Sequence, residues 1–312
     1  MSDERDLLRQ SVAGLLDKHA QPEAVRRAMA SPLGYDESLW AMLCEIGAAA
    51  LVVPEDFGGA GGELADAAVV MEELGRTLAP TPLLGTTLAE LALLGADTPD
   101  GVTLERLAAG ESIGAVVFDR DYVVNGDVAD VVVAVEDGRI LRWTQTTAAA
   151  ADTLDPTRRL ARVTPGSTSV LGRDPGIADA AAILLAAEQI GGAARCLELT
   201  VDYTKQREQF GRPIGSFQAL KHRMADLYVA VQSARAVVGD AVANPTPVTA
   251  ALARLAASEA FCTVAGEAIQ LHGGIAITWE HDIQLYFKRA HGSAALLGSP
   301  RAQLRRLESE VF

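Results

Sequence analysis

The stretch YTKQREQFGRPIGSFQ, from Tyr203 to Gln218, concentrates groups that bind anions. Arg207 offers a planar guanidinium fork suited to phosphate or carboxylate, Gln209 an amide, and Phe210 a flat apolar face. Gly211, Pro213 and Gly215 then turn the chain, and Ser216 is placed to cap a helix that begins at SFQ. Aligned N–H dipoles at a helix start, beside an arginine, make an anion site. Further on, AIQLHGGIAITWEHD carries Gln270 and then Gly273 and Gly274, whose backbone has no Cβ over it. Taken alone, each fragment has a commoner structural use, the first as a helix-to-helix turn and the second as a helix C-cap. His272, His281 and Asp282 lack the i, i+4 spacing of helical metal ligands, so no metal is expected. Glu188, in the apolar run ILLAAEQIGG, is the remaining candidate for acid–base work, because burial raises a carboxyl pKa toward the range of a general base. The commoner role of such a Glu is to pair with an arginine from another helix.

Three kinds of sequence texture must position these groups. Residues 1–110 read as helices joined by short loops: DERDLLRQSVAGLLDKH and ADAAVVMEELGRTL carry apolar residues at helical spacing. Between them, VVPEDFGGAGGE lacks the G-x-G-x-x-G spacing of a dinucleotide fingerprint and is expected to be a mobile structural turn. Residues 111–172 are short β-branched runs punctuated by Asn125-Gly126 and Asp137-Gly138, both read as hairpin turns. This β unit is too small to bury a core alone and is expected to lie against helices, with Trp143 packing inside it. Residues 173–312 are helical again. Leu220, Met224, Leu227, Val231, Ala234 and Val238 form one apolar stripe, and three further runs, the last near residues 295–309, complete an antiparallel four-helix bundle. The fold class expected is therefore α+β, mainly α: an N-terminal helical domain, a small β unit and a C-terminal four-helix bundle.

The chain has 312 residues and a formal net charge of −14, which repels nucleic acid and anionic membrane surfaces. Cys44, Cys196 and Cys262 are few, scattered and odd in number, which argues against a disulfide framework and for a reducing compartment. The charged N-terminus has no apolar leader pattern, and no uninterrupted apolar run is long enough to span a bilayer. A soluble cytoplasmic protein is expected.

REQFGRPIGSFQALKHRMADL, followed by AIQLHGGIAITWEHDIQLYFKRA, resembles the paired C-terminal motifs of the acyl-CoA dehydrogenase family, and VVPEDFGGAGG with VVMEELGRTLAP resembles its N-terminal domain. The resemblance spans nearly the whole chain in the family's order. It implies the helix, β, helix-bundle fold, an FAD cofactor, an acyl-CoA substrate and an electron-transfer flavoprotein as electron acceptor. It further implies that Arg207, Gln209 and Phe210, with Gln270, Gly273 and Gly274, meet the pyrophosphate and adenosine of an FAD held mainly by a neighbouring subunit.

Against that family pattern, the catalytic side is depleted. Leu297, in AALLGSPRAQLRR, stands where the resemblance places the proton-abstracting Glu, and Ala181 stands at the alternate position on the first bundle helix. A leucine cannot take a proton. The β unit also lacks the loops that hold the flavin ring and the thioester in the family. The expectation is a shortened, non-catalytic subunit of an α2β2 enzyme of the bacterial steroid-degrading type, whose longer partner carries the catalytic Glu. Two alternatives stand beside it: a self-sufficient flavoenzyme using Glu188 as base, and a structural helical subunit that binds no flavin.

Overall fold

A computed structural model describes residues 3–311. The chain opens with α1 (Asp3–His19), α2 (Pro22–Ala30), α3 (Glu37–Glu45), α4 (Leu64–Thr77), α5 (Leu83–Leu94) and α6 (Gly101–Ala108). Their starts follow local chemistry. Pro22 occupies the first turn of α2, Asp36 accepts from the amides of Ser38 and Leu39 at α3, and Asp100 accepts from Thr103 at α6. The glycine run between α3 and α4 is a pinned turn rather than a mobile one. Amides of Ala60, Gly61 and Gly62 donate back to Ala50, Val53 and Leu51, and a Cβ on Gly59 would lie 1.9 Å from the Val53 carbonyl oxygen. Small residues are needed there for close backbone packing.

The β unit contains β1 (Gly114–Val117), β2 (Val123–Val124), β3 (Val131–Glu136), β4 (Arg139–Thr144), β5 (Thr147–Ala150), β6 (Leu160–Thr164) and β7 (Ser167–Arg173). They form two sheets, ordered β1-β3-β4-β7 and β2-β6-β5. Asp137 and Gly138, both at positive φ, close the β3–β4 hairpin as expected from their types. Asn125-Gly126 does not close a hairpin: β2 pairs with β6, while β3 runs parallel to β1. The Asn125 amide instead donates to the Arg159 carbonyl, fastening β2 to the segment before β6. Trp143 is buried between the sheets with Val117, Val123, Val132 and Val163. The opposite face, including Val116, Val131, Val133 and Ile140, joins the core shared with α4, α5 and α7, so the unit does rest on helices.

The bundle consists of α7 (Ile177–Gln206), α8 (Gln218–Ala243), α9 (Pro247–His272), α10 (Ile283–Ala295) and α11 (Pro300–Val311), with the short strands β8 (Glu208–Gln209) and β9 (Arg212–Pro213) between α7 and α8. The final run expected near 295–309 is α11, which starts only at Pro300 because Leu297 and Gly298 adopt positive φ ahead of it, and α10 is a further helix that was not expected. On α8, Leu227, Val231, Ala234 and Val238 are buried as the stripe requires, while Leu220 and Met224 are only half-buried. By length and composition α7 and the stretch Pro247–Ile277 are apolar enough to cross a membrane, each with mean hydropathy 1.3, although charged residues such as Glu188 and Arg254 interrupt their apolar runs. Of the apolar window of α7, 83% is buried inside the protein, as befits the central helix of the bundle.

Candidate functional site

α7 ends at Gln206, and its C-cap Arg207 turns into a small hairpin. β8 pairs with β9, and the two-residue turn between them is Phe210-Gly211, with φ of 55° and 76°. Positive φ at both positions is the geometry of a type I′ turn, tolerated by glycine but strained for phenylalanine. Phe210 is 91% exposed at the hairpin tip. Phe217 supports it edge-on at 6.1 Å between ring centroids, and the Arg212 guanidinium covers the Phe217 ring at 4.0 Å. Ser216 is not the N-cap of α8. It lies in a 3-10 turn, Ile214–Ser216, and Phe217 precedes the helix without any side-chain cap. Gly215 packs so closely on α7 that a Cβ would sit 2.9 Å from the Thr204 carbonyl, which fixes this turn and delays the helix start.

The end of α9 comes to the same place. His272 is buried, its Nδ1 paired with the Ala268 carbonyl, and it stacks on Tyr203 with centroids 4.2 Å apart. The Tyr203 hydroxyl donates to the His272 carbonyl at 3.2 Å. Burial lowers the pKa of His272, and His281, at 4.9 Å between ring centroids, lowers it further as a second potential cation. The ring is therefore a neutral strut between α7 and α9 at neutral pH. Sequence reading missed this clamp, since Tyr203 and His272 belong to two different motifs 69 residues apart and neither shows their contact.

Arg207, Gln209, Gln270, Gly273 and Gly274 line one surface concavity of about 430 Å³, floored by Tyr203 and His272. Phe210 stands outside its lining, on the adjoining hairpin. Among the described residues the Arg207 side chain has no hydrogen bond or ion pair, so its charge is available to a ligand. Gly273 has φ of 67° and suits glycine for conformational reasons. Gly274 does not have positive φ, and a Cβ there would meet nothing of this chain within 4 Å. Nothing inside the chain requires a glycine at 274, whereas an external ligand lying against the backbone would. The open backbone, free guanidinium and neighbouring exposed ring fit a dinucleotide's phosphates and base.

Glu188 belongs to a different environment. Its carboxylate receives the Arg158 guanidinium at 2.5 Å and Nη1 of Arg289, and Arg289 also holds Asp155 at 2.6 Å and the Thr157 hydroxyl. Side-chain exposures are 9% for Arg158, 7% for Glu188, 5% for Arg289 and 4% for Asp155. Burial pushes the Glu188 pKa up, but the two guanidiniums outweigh it and leave the carboxyl below its usual range. The pocket that Glu188 and Arg289 line has about 20 Å³ of free space, room for a single water, and Arg158 stands between it and a larger cavity. A carboxylate so paired and enclosed is a weak base that no acyl chain can reach. Ala181 is fully buried.

Leu297, with φ of 58°, lies after α10 and lines a larger cavity, about 750 Å³, between that helix end and the β unit. The carboxylates lining it are Asp119 and Asp152, both exposed, and Asp155, already held by Arg289.

The chain matches the acyl-CoA dehydrogenase N-terminal domain over residues 2–111 and the acyl-CoA dehydrogenase C-terminal domain over residues 178–311. It is 69% identical to acyl-CoA dehydrogenase IpdE2 of Mycobacterium tuberculosis, covering 99% of this chain and 98% of that one. Among solved structures, a variant of the Tcur3481-Tcur3483 steroid ACAD superposes with a TM-score of 0.89 at 27% identity, covering 98% of this chain and 97% of that chain. The ChsE4-ChsE5 complex from Mycobacterium tuberculosis gives 0.88 at 25% identity, covering 100% of this chain and 98% of that chain.

Proposed function

The chain belongs to the acyl-CoA dehydrogenase family, and from that premise we propose that it is the non-catalytic subunit of a heteromeric, flavin-dependent acyl-CoA dehydrogenase. The observation that carries this reading is a contrast between two faces. An outward concavity gathers Arg207, Gln209, Gln270, Gly273 and Gly274, while Leu297 occupies the expected base position and Glu188 is locked between arginines. The reaction is the introduction of an α,β double bond into a bulky acyl-CoA of the steroid-derived kind, a substrate class supported by the likeness to the steroid ACAD named above. Both solved neighbours named above carry paired subunit names, which supports a second dehydrogenase chain as partner.

In this assembly a longer partner supplies the catalytic Glu, the flavin-ring contacts and the thioester pocket. Accepting hydride from the acyl β-carbon is the chemistry FAD supplies when bound. This chain's residues do the holding: Arg207 meets the pyrophosphate, Gln209 and Gln270 offer amides, Gly273 and Gly274 admit the cofactor to the backbone, and Phe210 meets the adenine face. Electrons leave to an electron-transfer flavoprotein through the complex.

The test is Arg207→Ala in the assembly co-expressed with its dehydrogenase partner. Loss of one charge-assisted phosphate contact, worth about 1.5–3 kcal/mol, weakens FAD retention roughly 10- to 100-fold while the chains still co-purify. Unchanged flavin content in the variant assembly would point to a helical subunit that binds no flavin.

A further inference from the structure

The cavity beside Leu297 has a chemistry of its own. Val116, Phe118, Leu154 and Leu297 give it apolar walls, and about 750 Å³ lies within the ~300–1,000 Å³ typical of small-molecule sites. Arg158 lines it from the interior. The one side-chain hydrogen bond of Arg158 among the described residues runs from Nη2 to Glu188, and its buried Nε has no partner. The charges behind that wall do not balance. Among the described residues, the carboxylates paired with Arg158 and Arg289 are Glu188 and Asp155, and Arg254 is bound to Gln189, Ser258 and the carbonyls of Ser293 and Leu296 rather than to any carboxylate. Burial, then the like charge of Arg158, lowers the Arg254 pKa to about 10. A buried excess of positive charge beneath an apolar cavity favours an anion with an apolar body. Asp119 and Asp152 line the same cavity from exposed positions and oppose a polyanion.

We infer that this cavity binds a bulky apolar monocarboxylate as the free acid rather than its CoA thioester, with the carboxylate at Arg158 and the ring or chain system against Val116, Phe118 and Leu297. No bond is made or broken, and Leu297 offers no base. The inference does not rest on flavin sharing; it holds for this chain with or without a partner.

Titration of the full-length chain with 1-pyrenebutyrate, followed by pyrene emission, tests it against two congeners, the uncharged methyl ester and the CoA thioester. Saturable binding is expected for the acid, with each congener weaker by roughly tenfold or more, the scale of one charged contact. Ala295→Trp, at an exposed lining position whose own side chain touches none of the guanidinium contacts given above, is expected to abolish binding with an unchanged melting temperature. Arg158→Lys, which keeps the charge, is expected to retain more binding than Arg158→Met. Non-saturable binding, an ester or thioester that binds as tightly as the acid, or full binding by a folded Ala295→Trp chain would overturn the inference.

Discussion

Replacing Glu188 by Gln removes the counter-charge of two guanidiniums at once. Breaking a buried pair costs about 3–5 kcal/mol, and that loss is expected for Glu188→Gln in urea denaturation at neutral pH. The sign with pH follows from its lowered pKa. Stability from Glu188 is fully present above the ordinary carboxyl value of 4.5 and is lost as pH falls through the lower folded value, so the variant should show a shallower acid limb than the parent. Glu90 behaves in the opposite sense. It is fully buried in α5, neither carboxyl oxygen has a hydrogen-bond partner among the described residues, and burial pushes its pKa well up. Above pH 4.5 the unfolded chain ionises this group while the folded chain keeps it neutral, which costs up to about 1.4 kcal/mol per pH unit until the folded pKa is reached. Glu90→Gln is therefore expected to be more stable than the parent at neutral pH and equally stable near pH 4; a destabilised variant at pH 7 would mean that Glu90 is ionised and partnered. Arg207, Gln209, Gln270, Gly273 and Gly274 could be singled out in the sequence because each departs from what a plain helix needs. Arg158 and Arg289 could not, since their meeting with Glu188 depends on three segments distant in sequence.

The central helices cross closely because of two glycines. A Cβ on Gly191 of α7 would lie 1.8 Å from the Glu72 carbonyl oxygen, and one on Gly75 of α4 would lie 1.9 Å from the Glu188 carbonyl oxygen. Gly191→Ala must push α4 away from α7, and overpacking of this kind costs about 1–3 kcal/mol, read as a lower melting temperature. The same shift would disturb Glu188, one turn earlier on α7. A contrasting change at Gly274, where a Cβ meets nothing of this chain, should leave the melting temperature unaltered. At this scale the sequence was readable wherever periodicity or turn chemistry acts locally, as on α8 and at Asp137-Gly138. It misled where a neighbour decides. Asn125-Gly126 has hairpin residues but its strand finds β6, and α10 was not expected as a helix ahead of the Leu297-Gly298 break that delays α11. The β8–β9 hairpin went unread because its strands are only two residues long, although Phe210-Gly211 marks its turn.

For the whole molecule, the proposed division of labour between two chains predicts a stoichiometry. The outer concavity at the ends of α7 and α9 can serve a cofactor seated elsewhere, and the interior behind Leu297 offers neither base nor space around Glu188 for an acyl chain. Exposed apolar residues beside the concavity, Ile275, Ile277 and Trp279, with Phe210 on the hairpin, add surface that a second chain would cover. The mass of the intact assembly, measured by native mass spectrometry after co-expression with the dehydrogenase partner, examines this division of labour directly. A mixed oligomer carrying one FAD for each pair of unlike chains, with this chain colourless when purified alone, is the expected result. One FAD per chain in the mixed oligomer, or a yellow homomer of this chain that oxidises acyl-CoA, would contradict it.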